Sequence, residues 1–168
     1  MTQLANTLLR DAFGRVADEL PSLLDGLTPD QVLWRPEGRG NSIGWLVWHL
    51  TRVQDDHLAG VDGRDQVWTS GGWARRFGLP YDDAAIGYGQ SADEVAVFEV
   101  SDAELLVGYH AAVHEMTLSV LDAMSDADYE RIVDERWDPP VTAAVRLVSV
   151  VGDITQHVGQ AAYVRGLT

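Results

Sequence analysis

Asp153-Ile-Thr-Gln-His157-Val-Gly-Gln160 places a carboxylate and an imidazole four residues apart in a stretch with almost no charge. On a helix this spacing stacks the two side chains on one face, where both can close on a single ion. A carboxylate oxygen and an imidazole nitrogen are ligands that first-row divalent metals accept readily. Between Val141 and Val164 the only formally charged side chains are Arg146 and Asp153. Asp153, His157 and Gln160 share their stripe with Ser149 and Gln156, opposite a Val/Ala arc. A polar stripe of that kind is also what a solvated face looks like. Its lack of Lys and Glu, in so acidic a chain, argues for a site.

A third ligand must come from elsewhere, and the five histidines are His49, His57, His110, His114 and His157. His49 falls roughly 90° from the centre of its helix's apolar arc, a boundary position from which it can reach into a bundle, and Asp56 lies two turns further along the same face. The His110/His114 pair is the alternative, but Glu104, Glu115 and Asp122 around it read as an exposed surface. His57 reads as a helix-end histidine near the negative pole of the dipole. Trp45 and Trp48 flank the His49 turn as core packing or as an aromatic wall. Arg39, Arg52, Arg75, Arg76 and Arg165 are each able to grip an anionic ligand bidentately, although a surface ion pair is the commoner use.

Other chemistries are unsupported. The chain has no cysteine, so any thiol must arrive with a substrate. Gly71-Gly72 and Gly87-Tyr-Gly89 lack the lysine and strand context of a phosphate loop, and there is no nucleophile elbow or His-Glu-x-x-His motif. A net charge of −14, with no lysine among twelve basic residues, argues against nucleic acid and anionic membranes as partners. No basic, apolar leader and no membrane-length apolar run is evident, which predicts a cytoplasmic protein.

Helices must position these residues. At 168 residues, 46% hydrophobic and 23% charged, the chain has the length and composition of one cored domain, 1–168. Apolar spacing predicts helices at about 3–24, 43–60, 102–124 and from Pro139-Pro140 onward, with a short turn after the Thr28–Gln31 capping box. Ser101-Asp-Ala-Glu104 reads as the capping box of the third. Forty residues from Val61 to Val100 join the second and third, too many for an inert linker. Their aromatics predict packing on the body, with a short extended run around Val95–Val100. Residues 125–139 read as an irregular acidic connection. The expectation is an all-α four-helix bundle with a long crossover between helices 2 and 3.

Asn41-Ser-Ile-Gly-Trp-Leu-Val-Trp-His49-Leu-Thr-Arg-Val-Gln-Asp-Asp56, Phe77-Gly-Leu-Pro80, Gly87-Tyr-Gly89 and the 153–166 segment together resemble the DinB-like superfamily. The likeness runs from about Leu8 to Leu167 and is nearest to the branch of mycothiol-dependent maleylpyruvate isomerases and mycothiol S-transferases. It implies a divalent metal, zinc or nickel, held by His49, Asp153 and His157. Many relatives carry His or Glu where Asp153 stands, one methylene longer than Asp in the case of Glu. It further implies a homodimer and activation of mycothiol for attack on an electrophile. Asp56 and Gln160 would support the reaction, and Trp45, Arg52 and Arg165 would bind the thiol cosubstrate. Isomerisation of a maleylpyruvate-type diacid, or metal binding without turnover, are the alternatives.

Overall fold

The structure, a computed structural model, describes residues 2–168, with side chains from Leu4 onward. Four long helices dominate it: α1 (Thr2–Leu24), α3 (Ile43–Asp62), α7 (Ala103–Ala123) and α9 (Ala143–Arg165). The short α2 (Pro29–Leu33) opens on the Thr28/Gln31 capping box, as its sequence signature predicts. Helix α3 packs on α9 and α7, and α1 packs on the same two, which gives the bundle the cyclic order α1–α7–α3–α9. One apolar cluster fills the centre, with Phe13, Val16 and Leu20 from α1 and Leu46, Val47 and Leu50 from α3. Leu106, Tyr109 and Val113 of α7 meet them, as do Leu147, Val150 and Ile154 of α9. These positions recur at three- and four-residue intervals, the spacing that turns one stripe of each helix inward.

The crossover is built rather than slack. It contains α4 (Val67–Ser70), α5 (Trp73–Phe77) and α6 (Ala92–Ala96). Trp68, Trp73, Phe77 and Phe98 are buried, so its aromatics pack on the body as expected. The extended run expected around Val95–Val100 is instead the end of α6 and an irregular segment. The Ser91/Glu94 capping box closes both ways and commits the chain to a helical turn.

Polar residues of α3 hold the crossover in place. Asp55 accepts hydrogen bonds from the Val67 and Trp68 amides, at 2.8 and 2.7 Å, and from the Tyr109 hydroxyl at 2.8 Å. Arg52, fully buried, donates to the carbonyls of Ala85 and Asp83 and to Gln66 Oε1.

Two further expectations need correction. The third long helix is capped by Asp102, whose carboxylate accepts from the Leu105 amide, rather than by Ser101. A carboxylate at that point also meets the positive end of the dipole. The stretch 125–142 holds α8 (Asp126–Glu130) and a two-stranded antiparallel ribbon, β1 (Ile132–Asp134) with β2 (Val141–Thr142). Pro139 and Pro140 therefore lie in the ribbon's connection, and α9 starts at Ala143 with Thr142 as its cap.

Candidate metal centre

Helix α3 carries His49 and α9 carries Asp153 and His157. The Ser42 hydroxyl accepts the Trp45 amide at 3.2 Å and fixes where α3 begins, and hence which residues face α9. The His49 and His157 rings meet at 4.7 Å between centroids, inclined at 74°. His49, Asp153 and His157 each offer one ligand atom, and these atoms lie within 4.8 Å of one another.

Both imidazoles are oriented from behind. His49 Nδ1 lies 2.5 Å from the Ile86 carbonyl oxygen, so Nδ1–H donates and Nε2 keeps its lone pair. His157 Nδ1 lies 2.8 Å from Gln160 Oε1, which fixes the same tautomer. His157 Nε2 is 3.7 Å from Asp153 Oδ2, too far for a hydrogen bond. Burial is the largest influence on His49 and pushes its pKa down. The Ile86 carbonyl opposes this, His157 adds to it and Asp153 opposes it. A neutral imidazole is the form that ligates.

The residues fit a cation. Asp153 Oδ1 is buried and has no hydrogen-bond partner among the described residues. A buried carboxylate oxygen without a partner is expensive, and two imidazole lone pairs beside it cannot donate to it. A divalent ion would satisfy all three groups at once. The shorter Asp side chain reaches the cluster because it shares a face with His157 one turn away.

The loop after Pro80 presses on the back of His49. Gly87 has φ +88°, and a Cβ there would lie 2.7 Å from His49 Nδ1 and 3.0 Å from Trp48. Gly87→Ala is therefore expected to displace the Ile86 carbonyl and weaken metal affinity about 10- to 100-fold, the usual effect of losing a ligand's orienting partner. Competition against a fluorescent zinc chelator measures this, with circular dichroism as the check on folding. Unchanged affinity would remove the orienting role from this loop.

The remaining sequence candidates stand elsewhere. Trp45 stacks on His49 at 4.8 Å and donates its Nε1–H to Gln90 Oε1, so it buttresses the ligand. Asp56 accepts from Gln66 Nε2 at 2.8 Å and has His57 Nδ1 at 3.3 Å, outside the cluster. Arg52 is engaged by the crossover. Arg165 donates to the carbonyls of Ser22, Leu23 and Asp25 and closes the end of α1. His110 is not on an exposed surface: it is 2% exposed, and burial holds its pKa down at about 3. His57, more than a turn from the end of α3, is likewise shifted down, by burial first and by Arg146 second, so it is not a stabilised cation. The Ile86 carbonyl escaped sequence reasoning because a main-chain atom has no signature. The neighbouring Gly87-Tyr-Gly89 was the one available hint.

The fold and the His–Asp–His cluster define an all-α bundle with a candidate metal centre between two of its long helices. The family model of the DinB superfamily matches residues 12–161, and the chain belongs to that superfamily. Among solved structures it is similar to the conserved protein of a locus from Enterococcus faecalis, with 31% identity and a TM-score of 0.88. That match covers 95% of this chain and 94% of the other. Curated proteins give no match. Among the described residues no helix is long and apolar enough to cross a membrane.

Proposed function

We propose that the protein is a metal-dependent thiol S-transferase, which joins a low-molecular-weight thiol, mycothiol being the expected one, to small electrophiles. The observation that carries this reading is the convergence of His49, Asp153 and His157 around a buried carboxylate oxygen without a partner. A divalent ion held there, zinc or nickel, supplies a positive charge that lowers the pKa of a bound thiol. The protein's own residues do the rest. Ile86 and Gln160 hold the two imidazoles in the ligating tautomer, and Trp45 and the Gly87 turn cover one side of His49. With no cysteine in the chain, the sulfur must come from the cosubstrate.

The test is metal content by elemental mass spectrometry on protein purified without chelator or affinity tag, beside His157→Ala. About one equivalent, lost in the variant, is expected. Thiol consumption with a quinone, followed by product analysis, then separates conjugation from isomerisation and from binding without turnover. Failure to take up metal in excess zinc would end the proposal.

A further inference from the structure

Two turns from the metal centre, α3, the start of the crossover, the ribbon and α9 line a half-open cavity of about 330 Å³ that none of the foregoing roles uses. Its charged and titratable walls are Asp56, His57, Arg64, Asp134, Arg136 and Arg146. Three guanidinium groups and two carboxylates line it, so charged groups dominate its walls.

Neither carboxylate is free. Asp134 accepts the Arg136 amide and Nε on one oxygen, and Arg136 Nη2 and Arg146 Nη2 on the other. Its pKa is accordingly held well below the usual carboxylate range, by Arg136 above all. Asp56 is occupied by Gln66 and His57. Arg64 pairs with Asp62 outside the cavity.

Arg146 is different. Its side chain is 18% exposed and a single nitrogen pairs with Asp134, at 2.8 Å. Among the described residues Nε and Nη1 have no hydrogen-bond partner, and Arg146 lines the cavity. A mostly buried guanidinium with two open donors is the group that planar oxyanions select. His57, with Nδ1 turned to Asp56, leaves Nε2 unpaired beside it.

Arg146 and Asp153 are seven residues apart on α9, about 10 Å along the axis. Asp56 and His57 stand seven and eight residues beyond His49 on α3. Because His49 meets His157 while His57 shares the cavity with Arg146, the two helices run antiparallel, which sets the cavity about two turns from the metal centre along the same helix pair.

We propose that this cavity seats a carboxylate-bearing small molecule, its acid group held by the open edge of Arg146 and its other end reaching the His49–Asp153–His157 centre. The far end of that ligand rests on the metal reading above; the acid seat does not. The walls favour an acid on a slender chain over a bulky apolar ligand, since they are mainly polar.

Two titrations test it separately. In metal-free, 15N-labelled protein, propionate is expected to shift the Arg146 Nε–H resonance saturably, and Arg146→Gln to weaken binding at least ten-fold. Arg146→Lys keeps the charge and loses the planar edge, and it serves if the Gln variant unfolds; it too is expected to bind more weakly. In cobalt-loaded protein, 6-mercaptohexanoate is expected to perturb the cobalt spectrum at a concentration at least ten-fold lower than 6-mercaptohexanol, a gap that closes in the Arg146 variants. No shift at Arg146, or saturation by inorganic phosphate below the concentration of propionate, overturns the carboxylate seat. Absence of cobalt uptake overturns the metal reading and the reach of the ligand's far end, while the propionate result still decides the seat.

Discussion

Asp55→Ala is expected to destabilise the protein by about 3–5 kcal/mol, the usual result of removing one partner from a buried charged pair. Asp55 and Arg52 are both wholly buried, with Asp55 Oδ2 3.6 Å from Arg52 Nη1. That distance is too long for a strong direct pair, and the carboxylate's real partners are the Val67 and Trp68 amides and the Tyr109 hydroxyl. Truncation would strand a buried guanidinium and three donors together. The loss would be concentrated in the crossover, since two of those donors begin α4 and Arg52 ties down residues 83–85. Urea unfolding gives the magnitude. Hydrogen exchange gives the place: the Val67 and Trp68 amides should lose protection before the core of α9 does. Loss below about 1 kcal/mol would mean that the aromatics alone hold the crossover. Because Ile86 follows directly on the anchored segment, the same change should weaken metal binding, although Asp55 touches no ligand.

This coupling explains what was legible in the sequence. The long helices announce themselves by apolar spacing, and Asp153 and His157 by their separation and by the lack of charge around them. Arg52 misleads for a physical reason. An arginine beside a candidate ligand invites an anion, and arginine is seldom fully buried unless paired. Its partners in the crossover sit 14 to 33 residues away, in a segment without periodicity. The ribbon escaped because strands of two and three residues carry no alternation to read. Asp102 and Ser101 both offer a cap to the same helix, and only geometry separates them. His110 escaped because charged neighbours on adjacent turns hid the inward phase of that one residue.

Acidification to pH 5 is expected to cost the protein about 2 kcal/mol through His110 alone. Its folded pKa, about 3, lies below the ordinary value of 6.5, because burial disfavours the imidazolium and His114 adds like-charge repulsion. Between those two values the unfolded chain binds a proton that the folded chain refuses, so stability rises with pH across the interval. The contribution is complete above about pH 6.5 and is lost as pH falls toward 3. At pH 5 the unfolded imidazole is about 1.5 units below its pKa, at about 1.4 kcal/mol per unit. His49, His57 and His114 are also shifted down and add to the total. The contribution of His110 is isolated by the difference between wild type and His110→Leu, measured by urea unfolding of metal-free protein at pH 7.5 and pH 5. That difference should move by about 2 kcal/mol in favour of the leucine variant as pH falls. A difference that does not change with pH would mean that the folded state admits the proton, through water reaching Nε2. That atom is buried and has no hydrogen-bond partner among the described residues, so nothing in the fold is placed to stabilise the charge there.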